Sequence, residues 1–235
     1  MMTFSKVHSI AVMAGFLVLG MDASVWATQV EGPYAGVGLG FTKVDGVTYD
    51  LLGAPVVAHP AEFDSDQGLQ LRAGWAFGGP RLEVEWADLG VNAKNFGRVG
   101  EIEPADGKLG VDTWMVNLFY DFDLESKFIP YLGVGVGQAN VKAEGISKDT
   151  NLPDRTGFVD GGGAVFAWQV ILGVAYQWNE HLGATLDYRI VKTGNIDHDY
   201  GVGCIPGSLT ECTYNSQLQM DYGLQSLSLG LRWVF

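Results

Sequence analysis

The chain has 235 residues, 14 Lys+Arg against 27 Asp+Glu, a formal charge of −13, and only 17% charged residues beside 47% hydrophobic ones. That much apolar surface excludes a disordered chain, and the acidic balance offers no basic excess to neutralise nucleic-acid phosphates. Two cysteines, Cys204 and Cys212, are too few for a disulfide scaffold or a cysteine-based zinc module.

The first element is an export signal. Lys6 supplies a positive start, Ile10–Met21 is an apolar run, and Val25 and Ala27 stand at the −3 and −1 positions of a signal-peptidase site. Twelve apolar residues are too short to cross a bilayer as a helix, which needs about 20. Residues 1–27 are expected to be removed, leaving Thr28–Phe235 as one domain.

The rest of the chain is built on alternation, which marks strands with one apolar face. Eight segments show it: Tyr34–Thr42, Leu69–Phe77, Arg81–Ala87, Thr113–Phe122, Pro130–Gly137, Ala167–Trp178, Leu182–Val191 and Ser226–Phe235. Their connections alternate in length. Gly78–Gly79, Asp123–Lys127 and Asn179–His181 are short, whereas Lys43–Gly68, Asp88–Asp112, Gln138–Phe166 and Lys192–Gln225 are long. Strands of about ten residues with this asymmetry predict an all-β, eight-stranded antiparallel up-and-down transmembrane barrel. Its short turns and both termini face the periplasm, and its long loops face outward. Pro33–Gly40 and Pro130–Gly137 repeat a pattern of alternating glycines. A phosphate-binding loop would need G-x-G-x-x-G opening a helix. No helical pattern follows here, so no nucleotide or other cofactor is expected. A helical span within Gly161–Asn179 is long enough and uncharged, but Gln169 and Gln177 fall on one alternate face of it.

Volume decides which face meets lipid. The apolar rows carry every Trp after residue 27, and an eight-stranded lumen is barely wide enough for side chains. Six indoles with the accompanying Leu and Val do not fit inside, so the apolar rows face out. Aromatic residues gather at the short-turn ends of the segments, as in an interfacial girdle.

The chain ends Leu227-x-Leu229-x-Leu231-x-Trp233-x-Phe235. This row resembles the C-terminal signature of bacterial outer-membrane barrels, which the barrel-assembly machinery recognises. Together with the Gly-Pro-Tyr-x-Gly start, Thr28–Phe235 resembles the small OmpA-like and opacity-type surface barrels. No peptidoglycan-binding segment follows the last strand, so the resemblance does not imply a cell-wall tether. It implies the outer membrane of a Gram-negative bacterium, with outer-membrane lipid and lipopolysaccharide around the barrel. Host or phage surface molecules are the expected loop partners.

The lumen face carries Arg72, Arg81, Arg189 and Arg232 against Glu83, Glu85, Asp121 and Asp187. Buried charges must pair or be hydrated, and in so narrow a lumen an ion-pair plug is favoured over a charged channel. The two-residue Gly78–Gly79 turn sets a register that places Arg72 opposite Glu85. Glu83 and Glu85 line no cleft of the kind glycoside hydrolysis uses. His59, His181 and His198 stand in no nucleophile arrangement, so no catalytic residue is assigned. Asp197-His198-Asp199 is an acidic surface stretch rather than a closed metal site. Cys204 and Cys212, separated by a Pro206-Gly207 turn, are expected to bridge in an oxidising compartment. The function expected is structural and surface-exposed interaction through the loops. The alternative is a narrow pore or small hydrophobic-ligand conduit.

Overall fold

The computed structural model describes residues 31–51, 62–64, 66–98, 101–149, 156–202 and 214–235, with side chains over 31–44, 66–91, 109–142, 162–196 and 221–235. Val25, Ala27, Cys204 and Cys212 lie outside the described residues. The elements are strands throughout: β1 (Glu31–Leu51), β2 (Glu62–Asp64), β3 (Asp66–Phe77), β4 (Pro80–Asp88), β5 (Val91–Arg98), β6 (Glu101–Asp121), β7 (Phe128–Asp149), β8 (Thr156–Gln177), β9 (Leu182–Thr193), β10 (Ile196–Val202) and β11 (Tyr214–Val234). Among the described residues no helix is long and apolar enough to cross a membrane. Gly161–Gln177, within the segment whose length would allow a helix, is strand β8.

The eight long-range neighbours are β1, β3, β4, β6, β7, β8, β9 and β11, all antiparallel, and β11 returns to pair with β1. The sheet is therefore a closed eight-stranded barrel. β5 and β10 continue β4 and β9 past short interruptions and pair with β6 and with β8 and β11. At the first interruption the Leu89 N–H donates to the Val111 carbonyl at 2.7 Å, and at the second the Gly194 N–H donates to that of Phe166 at 2.8 Å. The wall thus stays bonded where the ladder breaks.

Following paired residues once round the wall runs Lys43, Gln225, Ile190, Val170, Val134, Leu118, Leu82, Trp75, Pro33. The circuit returns to β1 ten residues from where it began. With strands about 4.8 Å apart and a rise of about 3.3 Å per residue, that stagger is a strand tilt of about 40°. The β3–β4 turn is Gly78 at φ +72° and Gly79 at φ +128°. Both central residues have positive φ, as tight hairpins with native twist require.

Four of the connections expected to be loops are largely strand. β1 runs on to Leu51, β6 starts at Glu101, β7 runs to Asp149, and β11 starts at Tyr214. Asp197, His198 and Asp199 likewise sit in strand β10. The apolar outer row ends where lipid ends, but the hydrogen-bonded ladder continues into water.

At that boundary the apolar residues pass from the outer face to the inner one, while the in–out alternation of the side chains continues unbroken. On β6, Trp114, Val116, Leu118 and Tyr120 face outward and are exposed, while Leu109 and Val111, of opposite parity, are buried inside. β4 does the same, with Leu82 and Val84 outside and Ala87 and Leu89 inside, and so does β11, with Leu227, Leu229 and Leu231 outside and Tyr222 and Leu224 inside. At the short-turn end the outer row closes in aromatic pairs. Trp75–Phe77, Tyr120–Phe122, Phe128–Tyr176 and Tyr176–Trp178 have ring centroids 5.0–6.5 Å apart, and the His181 ring stacks on Trp233 at 5.7 Å.

Candidate functional site: the charged lumen

All eight charged residues of the lumen rows are brought inside one barrel. Arg81, Glu83, Glu85, Asp121, Asp187, Arg189 and Arg232 are buried, and the Arg72 side chain is 9% exposed. They form two layers, each with two arginines and two carboxylates. Nearer the long connections, Arg72 Nε is 3.2 Å from Glu85 and Arg72 Nη2 is 2.6 Å from Asp187. Arg189 lies 2.6 Å from Glu85 and 3.7 Å from Asp187. Nearer the short turns, Arg81 sits 2.8 Å from Asp121 and 3.8 Å from Glu83, and Arg232 is 3.6 Å from Asp121. The Gly78–Gly79 turn produces the register Trp75↔Leu82 and Arg72↔Glu85.

Neutral polar groups join the layers. Gln169 Nε2 donates to Glu85 at 3.2 Å and to Asn117 Oδ1 at 2.8 Å, and Asn117 Nδ2 donates to Glu83 at 3.2 Å. The Tyr34 hydroxyl donates to Glu83 at 2.9 Å and accepts from Arg81 at 3.0 Å. The Tyr131 hydroxyl donates to Asp187, and the Ser228 hydroxyl reaches Asp187 at 3.4 Å. The Arg81 guanidinium also lies over the Phe119 ring at 4.4 Å and near that of Tyr131 at 5.1 Å. The result is a neutral circuit in which each carboxylate meets at least one arginine. This is the condition for charges to persist in low dielectric.

Beside these polar and charged groups the lumen rows hold large side chains. Tyr34, Met115, Phe119, Ile129, Tyr131 and Ile171 are buried inside. They fit because glycines face them. A Cβ at Gly133 would lie 2.3 Å from the Phe119 ring, one at Gly173 2.4 Å from Tyr131, and one at Gly74 2.6 Å from Tyr34. The alternating glycines therefore make room for neighbouring rings. Above the charge layers, Val44, Leu89, Val91, Leu109, Val111, Met115 and Leu224 belong to one apolar cluster filling the loop-side lumen. Between the two charge layers the lining of Tyr34, Arg72, Arg81, Thr185 and Arg232 leaves room for about one water molecule.

Leu227, Leu229, Leu231, Trp233 and Phe235 form one outward, exposed row, and the Phe235 N–H donates to the Pro33 carbonyl at 3.0 Å, fastening the last residue beside β1.

An outer membrane protein of Gluconacetobacter diazotrophicus is 26% identical over 249 aligned residues, covering 96% of this chain and 63% of the relative. Outer membrane protein PagN of Salmonella typhimurium is 32% identical over 87 residues, covering 36% of this chain and 35% of that protein. The chain thus spans less than two thirds of the length of these curated relatives. Among solved structures, OprG of Pseudomonas aeruginosa matches with a TM-score of 0.55 at 18% identity, over 88% of this chain and 98% of that one. Neisserial surface protein A matches with a TM-score of 0.51 at 17% identity, over 88% and 99%. These two likenesses show the shared barrel fold. Residues 11–235 match the outer membrane protein beta-barrel domain, and with the closed eight-stranded wall and its lipid-facing rows the chain belongs to that family of outer-membrane β-barrels.

Proposed function

We propose that this outer-membrane barrel is a closed structural protein that presents its loops at the cell surface and does not conduct. The observation that carries this reading is the lumen filling: two charge layers, with room between them for about one water, lie below a packed apolar cluster. Purified barrel in a planar bilayer is expected to show no steady discrete openings. Such openings would favour the rival reading, a narrow pore or ligand conduit.

The same reading takes the long-connection end as extracellular and both termini as periplasmic. Residues 1–27 act as a leader cleaved after Ala27, with Val25 as its second recognition residue, and the domain then runs from 28 to 235. N-terminal sequencing of the surface protein should begin at Thr28. The row ending in Phe235 is the segment offered to the barrel-assembly machinery, so deleting Phe235 should leave unassembled protein. Cys204 and Cys212 are proposed as a surface-loop disulfide, for which thiol labelling of denatured, unreduced protein should find no free sulfhydryl. No catalytic role is assigned. Glu83, Glu85, Asp121 and Asp187 are all engaged by arginine, which supports a structural use of these carboxylates. The loop partners proposed are host or phage surface molecules.

A further inference from the structure

At the upper edge of the lipid-facing rows the wall is electrically polarised. Lys43 on β1 and Lys192 on β9 flank β11, their Cα partners there being Gln225 and Gly223. The ten-residue stagger over eight strands lowers each lateral step by about one and a quarter residues, so the two lysines stand within one residue's rise of each other. Both are exposed. Both sit at the rim of the aromatic edge: Phe41 lies two residues below Lys43 on the same face, and Lys192 pairs with Trp168. Diametrically opposite, at about the same height, Asp88 faces Asp112 across β4 and β6, two residues above Trp86 and Trp114. At this height one arc therefore presents two lysines and the other two aspartates.

Asp45, in the β1 bulge next to the Gly46 that pairs with Gly223, is the acid nearest Lys43 on its own strand. Among the described residues neither lysine has a carboxylate within ion-pairing distance. A Cβ at Gly223 would lie 2.8 Å from Lys192 Nζ, so glycine there lets the amine cross β11 toward Lys43. The Tyr188 hydroxyl donates to Gln225 Oε1 at 2.7 Å, which holds a polar side chain beside the two amines. The acid on this stretch of β11 is Asp221, two residues nearer the loops than Gly223.

We propose that Lys43 and Lys192, bridged over Gly223, bind a phosphate of outer-leaflet lipopolysaccharide, so that one arc of the barrel carries a preferred glycolipid. The lysines stand where phosphorylated headgroups meet the apolar band, and their charge complements a phosphate that the opposite arc repels. The site rests on the orientation given above, with the long connections outside.

Barrel in detergent micelles, its folding checked by heat-modifiable gel mobility, is mixed with bisphosphorylated lipid A or its dephosphorylated form, and bound lipid is counted by native mass spectrometry. Wild type should retain the phosphorylated form selectively. At about 1 kcal/mol per near-surface cation, Lys43→Gln and Lys192→Gln should each weaken retention about fivefold, and together about twenty-five-fold. Gly223→Ala should act like Lys192→Gln, and Asp88→Asn with Asp112→Asn should leave retention intact. Unchanged retention in the double lysine variant would overturn the site, as would equal competition by phosphatidylglycerol. An epitope inserted between residues 151 and 152, probed on intact cells, separates the two ideas. A hidden epitope overturns the orientation, whereas a displayed one with no selective retention overturns the site alone.

Discussion

The lumen has two halves with different contents inside one continuous wall. Toward the short turns it holds four arginines and four carboxylates interleaved with Phe119, Ile129, Tyr131 and Ile171; toward the loops it holds Val44, Leu89, Val91, Leu109 and their neighbours, with no ion pair among them. The difference follows from what lies outside. Where lipid covers the wall, moving an apolar side chain from outside to inside gains nothing, because the surroundings are already apolar. Cohesion there comes from ion pairs and hydrogen bonds among groups that lipid would penalise. Where the wall rises into water, apolar burial regains its driving force and the lumen fills with aliphatic side chains. One strand therefore carries two cores of different physics, joined at the level where its apolar row passes from the outer face to the inner one.

Substitutions that empty each half in turn test this contrast. The largest effect is expected from Glu85→Ala, which takes a counterion from Arg72 and Arg189 at once and leaves both to Asp187 alone. Removing one partner of a buried pair costs about 3–5 kcal/mol, read as a lowered unfolding temperature in detergent. A double-mutant cycle of Arg72→Ala with Glu85→Ala should recover part of the loss; strictly additive losses would show that the two are uncoupled. Next comes Met115→Ala in the apolar half, where a core truncation of this kind costs about 2–4 kcal/mol. Met115→Leu, which keeps the volume, should cost less than about 1.5 kcal/mol. If the leucine variant lost as much as the alanine one, that half would not be held by packing. Ser228→Ala removes a single 3.4 Å hydrogen bond to a carboxylate that keeps Tyr131 and Arg72. A loss of about 1 kcal/mol is expected. A much larger loss, measured in the same detergent, would mean that the charge layers have no redundancy.

Within the lipid-facing band the sequence made both the architecture and the site legible, because lipid outside and a narrow lumen inside impose a strict two-residue period. That period gave the eight strands and the side each one turns to the lumen, and the paired glycines of the β3–β4 turn fixed the Arg72↔Glu85 register. Above the band the same rule misleads. Leu109 and Val111 have the parity that turns to the lumen all along β6, and Ala139 and Val141 do the same on β7. The row of apolar residues moves there from the outer face to the inner one, so the alternation is broken at the switch and strand extensions look like loops. The signal was present as a parity switch after Thr113, Ala87 and Ser226. Tyr34 and Tyr131 escaped for a different reason. Their place inside depends on glycines one strand away, at Gly74 and Gly173, a relation that becomes visible only once the pairing is known.

The meeting of β11 with β1 joins the two ends of the domain, and with it the electrical circuit of the lumen. Arg232 on β11 has its carboxylate, Asp121, on β6, while Asp187 and Arg189 on β9 have theirs, Arg72 and Glu85, on β3 and β4. These partners lie on opposite sides of the ring. A sheet that has entered lipid but not yet curled shut would keep Arg72–Glu85 and Arg81–Asp121 between neighbouring strands and Arg189–Asp187 within β9, but would lack every contact that crosses the lumen and would leave Arg232 without a carboxylate. Closure and completion of the network are thus one event: the contacts that tie one side of the lumen to the other form only when β11 meets β1.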